Sequence, residues 1–205
     1  MRYLFEHLAV AVCAITGVLA ARNKSVDLFG IVVLALVTAL GGGTLRDLIL
    51  GTKPFWLSDS SFVLTASVAA GVIFLVARFW DMPASLLLVP DACGLALFTM
   101  MGTERALAFS APNTVAVMLG VITGVAGGMI RDLLTGEIPL VLRTGVYLYA
   151  TAALCGASTF VIIAPRISSP LLSQSIAIAV TLSLRLAAMR WRLRLPEFKA
   201  RAPNK

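Results

Sequence analysis

Apolar residues run along this chain in long blocks separated by short polar connections. Leu28 to Leu40 is continuously apolar, with no alternation of inward and outward positions. A helix needs roughly 20 mostly apolar residues to cross a bilayer, whereas a barrel strand shows about ten alternating ones. Segments of the first kind lie near residues 4–21, 26–50, 62–79, 86–103, 113–135, 144–163 and 171–189. The pattern predicts an all-α membrane protein with seven transmembrane helices. Asp81-Met82-Pro83 and Ala111-Pro112-Asn113 end one helix and permit the next. Pro90 leaves the start of the fourth helix between two choices, near residue 84 or at Asp91.

The blocks repeat. Gly42-Gly43-x-x-Arg46-Asp47-Leu48-x-x-Gly51-x-x-Pro54 returns as Gly127-Gly128-x-x-Arg131-Asp132-Leu133-x-x-Gly136-x-x-Pro139, an offset of 127 − 42 = 85 residues. At the same offset Val32 meets Val117, Thr38 meets Thr123, Gly17 meets Gly102 and Glu6 meets Asp91. The unit is therefore three helices long, about residues 3–80 and 88–164. A seventh helix at about 170–190 and a basic tail at 190–205 complete a single transmembrane domain. Three is odd, so the second unit enters the membrane from the opposite side. Such an inverted 3+3 repeat places ion or substrate sites near the midplane, on discontinuous helices. The first apolar run has a counterpart inside the chain, so it reads as part of the mature fold and not as a signal peptide.

Composition agrees with the pattern. The 205 residues are 59% hydrophobic and 13% charged, with a mean hydropathy of +0.94. Soluble domains carry about a quarter charged residues. The net charge of +7 is concentrated in the tail, at Arg190, Arg192, Arg194, Lys199, Arg201 and Lys205. Read by the positive-inside rule, this places the C-terminus in the cytoplasm and the N-terminus outside. Arg22, Lys24, Arg78 and Arg143 then fall inside. The tail reads as an orientation signal in contact with anionic lipid, and nucleic acid is not an expected partner. Arg185, near the end of the last helix, is expected to snorkel to the cytoplasmic face. Cys13, Cys93 and Cys155 lie in apolar runs and read as small buried hydrophobes. No spacing suits a metal, and no residue set suits a nucleophile with its base, so the chain does not read as an enzyme and calls for no cofactor.

Charges inside a bilayer are costly and mark function by default. Arg46-Asp47 and Arg131-Asp132 are the candidates. Neighbours on a helix point about 100° apart, so each charge is expected to seek a partner on another helix. The repeat supplies two acids at matching depth, giving the expected pairs Arg46–Glu6 and Arg131–Asp91. Asp47 and Asp132 would then lie nearer a polar path. The competing reading makes all four charges a structural lock. Gly41, Gly42, Gly43, Gly127 and Gly128 either break the helix and free carbonyls for a cavity or let backbones pack closely. Thr38 and Thr123, one turn earlier, either offer hydroxyls to an ion or bond the backbone four residues back. Gly51 and Gly136 read as helix C-caps.

Ala39-Leu40-Gly41-Gly42-Gly43-Thr44-Leu45-Arg46-Asp47, Asp91-Ala92-x-Gly94-Leu95-Ala96-Leu97-Phe98, Gly127 to Asp132 with Glu137-Ile138-Pro139, and Leu195-Pro196-Glu197-Phe198 together resemble the bacterial trimeric intracellular cation (TRIC-type) channels, long catalogued as uncharacterised inner-membrane proteins. The resemblance covers nearly the whole chain. Glu6 departs from it, since an aspartate is commoner there. It implies a homotrimer in the cell inner membrane with a pore in each subunit. It further implies that the second and fifth helices, kinked at glycines 41–43 and 127–128, line that pore, with charges 46, 47, 131 and 132 flanking it. The transported ion would be a monovalent cation, potassium. The alternative is a secondary transporter for a small amino acid such as glycine; a lipid-binding scaffold is a third reading.

Overall fold

The computed structural model describes residues 2–22, 24–80, 84–143 and 148–193. The turn at Asp81-Met82-Pro83, the motif Leu195-Pro196-Glu197-Phe198 and the tail cations Arg194, Lys199, Arg201 and Lys205 lie outside the described residues. The described residues form α1 (Arg2–Ala21), α2 (Leu28–Ile49), α3 (Phe55–Ser58), α4 (Ser61–Phe79), α5 (Leu88–Ala108), α6 (Asn113–Leu134), α7 (Tyr149–Ile163) and α8 (Pro170–Trp191). A short 3-10 turn, Ala84–Leu87, leads into α5. That resolves the start of the fourth long helix: it begins at Leu88, because Pro90 falls in the first turn, where a missing N–H costs nothing.

Five helices, Tyr3–Ala21, α2, α4, α6 and α8, are long and apolar enough to cross a membrane. α5 has 21 residues but carries Asp91, Glu104 and Arg105. α7 is apolar and only 15 residues long. Local chemistry sets the ends. The Asp27 side chain caps α2 by accepting from the Gly30 N–H at 2.7 Å. Ser169 caps α8, with Pro170 at its first position. α2 and α6 end alike: Gly51 and Gly136 adopt φ of +68° and +71°. The next N–H groups, on Thr52 and Glu137, reach back to the carbonyls of Asp47 and Asp132 at 2.8 and 2.9 Å. This is a Schellman motif, closed by the residue that tolerates left-handed backbone.

The three-helix units pack by matching contacts. A Cβ on Gly17 would lie 2.7 Å from Ala35 Cα, and one on Gly102 would lie 3.0 Å from Gly120 Cα. These positions are 85 residues apart on both sides of the contact, so α1 sits on α2 as α5 sits on α6. The core around α1, α2 and α4 includes Ala9, Ala14, Ala35, Ala39, Ala66 and Ala70 beside larger residues such as Phe62 and Met100; the small ones allow close helix approach where lipid gives no hydrophobic drive. Leu64, Val68, Val72 and Leu75 of α4 point outward.

The two units meet where α2 crosses α6. Gly42 faces the Thr123 carbonyl, and Gly127 faces the Thr38 carbonyl. As the residue number rises on one helix it falls on the other, so the helices run antiparallel and the units are inverted. Both helices are α-helical throughout. Neither helix is interrupted at Gly41–Gly43 or Gly127–Gly128, and the close-packing reading is realised there: a Cβ on Gly42 or Gly127 would come within 2.2 or 2.3 Å of the opposing oxygen.

Candidate functional site: a buried charge fork and the cavity above it

Each Arg-Asp pair closes on itself. Arg46 Nε donates to Asp47 Oδ1 at 2.8 Å, and its Nη2 lies 2.8 Å from the same oxygen. Asp47 Oδ2 accepts the Phe55 N–H at 2.8 Å. In the second unit Arg131 Nε donates to Asp132 Oδ1 at 2.9 Å, and Asp132 Oδ2 accepts the Leu140 N–H at 2.8 Å. Phe55 and Leu140 each follow the motif's proline. The spacing Arg-Asp-x-x-x-Gly-x-x-Pro thus encodes one device. Glycine turns the chain back, and the aspartate staples the returning backbone with one oxygen while neutralising arginine with the other.

That geometry corrects two expectations. The arginine side chain is long enough to span the 100° between neighbours and bring its guanidinium against the adjacent carboxylate. Both oxygens of Asp47 and of Asp132 are thereby engaged; Asp47 is fully buried, while Asp132 also lines an open polar cavity. Among the described residues the ion pair of Arg46 is with Asp47, not Glu6. Its guanidinium also lies 5.7 Å from the Phe55 ring centroid. Arg131 does meet Asp91, with Nη1 2.9 Å from Oδ1.

The second unit's fork is larger than the first. α7 brings Tyr149 beside Asp91: a Cβ on Gly128 would touch the Tyr149 hydroxyl and Asp91 Oδ1 at 3.4 and 3.5 Å. α8 brings Arg185, whose guanidinium carbon lies 4.6 Å from the Tyr149 ring centroid. Arg185 is fully buried, so it turns inward and does not snorkel; the aromatic face and nearby acid outweigh the reach to water. Tyr149 escapes sequence reasoning because its repeat-matched position holds Leu64; Arg185 was read only for its reach to the membrane face, on a helix outside the repeat. An arginine within an apolar helix was the one available signal.

Above the fork, at the α2–α6 crossing, lies a cavity of about 10 Å³ lined by Thr16, Thr38, Thr123, Asp91, Arg131 and the glycines 42, 124, 127 and 128. That is room for one water at most. Below it an open cavity of about 440 Å³ is lined by Arg22, Lys24, Asp132, Thr135, Glu137 and Arg143. Lys24 Nζ donates to Glu137 Oε1 at 2.7 Å, and Arg143 Nη2 lies 3.5 Å from Oε2. The bond from Lys24 holds the Glu137 carboxyl below its ordinary value. This strap joins the α1–α2 connection to the loop after α6. Cys13, Cys93 and Cys155 are all free; Cys155 is exposed on the outer face of α7, contrary to the buried role expected. Trp191 is exposed at the end of α8.

The fold and this fork define a polytopic helical membrane protein of two inverted three-helix units followed by an additional helix, α8. A family model described as glycine transporter matches it twice, over residues 3–78 and 88–165. The chain is 44% identical over 199 residues to the UPF0126 inner membrane protein YadS of Escherichia coli K12, covering 96% of this chain and 95% of that one. It is 41% identical to a UPF0126 membrane protein of Vibrio cholerae, covering 96% and 82%. The TRIC trimeric intracellular cation channel orthologue from Rhodobacter sphaeroides superposes with a TM-score of 0.87 at 38% identity, covering 94% of this chain and 98% of that one. The chain belongs to this family of UPF0126 and bacterial TRIC membrane proteins.

Proposed function

We propose that the protein is a potassium-selective cation channel of the cell inner membrane, with a pore within each subunit of a homotrimer. The path follows the α2–α6 crossing, from the threonine-lined cavity past the Arg131 fork to the open cavity beneath. The observation that carries this reading is the crossing itself: two antiparallel helices whose inward surface is threonine and glycine, with a buried acid at its edge, in an otherwise apolar bundle. Cation paths through membranes are built from such neutral and anionic oxygens. Seven helices spanning the bilayer, with the N-terminus outside and the C-terminus cytoplasmic, put the Arg22, Lys24 and Arg143 end inside. The cavity has room for one water at most, so the structure represents a closed path. Bending at Gly41–Gly43 and Gly127–Gly128, where backbones touch, is the way to widen it.

The arginines pose the main electrostatic question, since a cation meeting them is repelled. The forks answer it: each guanidinium is neutralised by a carboxylate before an ion arrives. The family description favours a second reading, a glycine transporter, in which half-helix dipoles and Arg131 hold a carboxylate. One experiment separates them. The purified protein is reconstituted for planar-bilayer recording and, in parallel, into liposomes with labelled glycine. Discrete potassium currents without glycine uptake are expected. Saturable, gradient-driven glycine uptake without currents would overturn the channel.

A further inference from the structure

Within that channel reading, we infer that Asp91 and the hydroxyl oxygens of Thr16, Thr38 and Thr123 form a binding site for one dehydrated monovalent cation at the α2–α6 crossing. The carboxylate at this site is Asp91; Asp47 and Asp132 of the repeated motif do not line the cavity at the crossing.

Four observations carry this. Asp91 Oδ1 takes the Arg131 contact at 2.9 Å; the hydroxyl of Tyr149, which also lines the cavity, interacts with the same carboxylate, yet Oδ2 is buried and receives no well-aligned hydrogen bond from the described residues. A buried acceptor left unmatched costs free energy unless something polar occupies the space beside it. That space is the cavity, which Asp91 lines.

The threonines are oriented for the same task. Thr16 donates its hydroxyl proton to the Cys13 carbonyl at 2.8 Å. Thr38 donates to Leu34 and Thr123 to Leu119, each at 2.6 Å. Their protons are committed to their own helices, so only oxygen lone pairs remain to face the cavity. Three neutral oxygens and one carboxylate oxygen, from α1, α2, α5 and α6, make a hard-oxygen set suited to an alkali cation.

Size and charge narrow the class. A cavity with room for one water also suits a potassium ion, which is about as large as a water molecule. The charged groups around Asp91 are Asp132, Arg131 and Arg185, so with Asp91 they sum to zero. A neutral surround with one shared carboxylate disfavours a divalent ion. It lets a monovalent one enter and leave, as conduction requires. The inverted repeat does not duplicate the site: Glu6, the counterpart of Asp91, is not a lining residue of the cavity.

The test uses crystals of the full-length protein exchanged from potassium into thallous ion, read by anomalous scattering, with thallous flux into liposomes measured alongside. A single anomalous peak at the crossing is expected. Asp91→Asn is expected to remove it and to lower flux severalfold. Because that variant leaves Arg131 with one acid and puts folding at risk, the pair Thr38→Val and Thr123→Val provides the second arm. It keeps the shape, removes two oxygens and should weaken the peak and flux together. Thr159→Val, which deletes a similar own-helix hydroxyl bond on the outer face of α7, should change neither. Wild-type flux with no peak in the cavity, or threonine variants with unaltered flux, overturns the site and leaves the channel standing. A peak without flux or current keeps the site and overturns the channel. Neither peak nor flux overturns both.

Discussion

Gly42 and the Thr123 carbonyl are in direct backbone contact across the two inverted units, and Gly127 and the Thr38 carbonyl repeat that contact 85 residues on. Neither contact admits a side chain. The reciprocity ties the two units together at their centre, so the same residues hold the fold and bound the cavity.

Gly42→Ala and Gly127→Ala should each destabilise the protein by about 1–3 kcal/mol or more, because the added methyl meets backbone, which cannot turn aside. Gly71, inside α4, has nothing within 4 Å of its would-be Cβ. Gly71→Ala should leave stability within about 0.5 kcal/mol. Loss of helical circular dichroism in a denaturing-detergent titration measures all three. Equal effects at Gly42 and Gly71 would refute the contact.

Gly51 and Gly136 test a different cause. Space is open at both, but their positive φ makes any Cβ strained. Gly51→Ala and Gly136→Ala should each cost about 1–2 kcal/mol through backbone strain alone. Replacement by asparagine, which tolerates this conformation, should recover part of the loss. A neutral alanine at either position, in the same titration, would contradict the cap.

The forks predict an asymmetry between the units. Removing one partner of a buried ion pair costs about 3–5 kcal/mol, since the other charge stays buried and unmatched. Asp132→Asn leaves Arg131 with Asp91 at 2.9 Å, whereas Asp47→Asn takes away the carboxylate that binds both Arg46 contacts. Asp47→Asn should therefore be the more destabilising. The midpoint of detergent-induced unfolding decides it, and the reverse order would sink the assignment.

Much of this was legible in the sequence because it repeats. The 85-residue offset that pairs Gly42 with Gly127 and Glu6 with Asp91 implied inversion, and the antiparallel crossing of α2 and α6 displays it. Matching depth gave the Arg131–Asp91 contact, although the same argument misassigned Arg46 to Glu6. What sequence could not show was how side chains close locally. Arg46 and Asp47 looked too divergent to pair because a helical wheel fixes Cβ directions and ignores arginine's reach. The staple from Asp47 to the Phe55 N–H depends on a chain reversal that only the turn at Gly51 creates. Adjacent glycines read as a break, as a contact or as both, and the partner carbonyls that reveal the contact lie on another helix. Tyr149 and Arg185 enter from elements outside the repeated motif, so no internal comparison could point to them.

The Lys24–Glu137 strap makes the rim of the open cavity sensitive to pH. Glu137 is exposed, and the Lys24 hydrogen bond lowers its carboxyl below the ordinary 4.5. A depressed carboxylate stabilises the folded arrangement above its unfolded value, and that contribution disappears as pH falls through the lowered one. The strap should thus be intact at neutral pH and release only below pH 4.5. Lys24→Gln should return Glu137 toward 4.5, with Arg143 at 3.5 Å left as a weaker partner. Carboxyl-carbon NMR of selectively labelled glutamate, titrated in detergent micelles, reads the midpoint directly. Molar salt, which screens an exposed pair, should raise the wild-type midpoint and leave that of Lys24→Gln nearly fixed. A Glu137 midpoint that ignores both the substitution and the salt would show that the two residues meet without interacting.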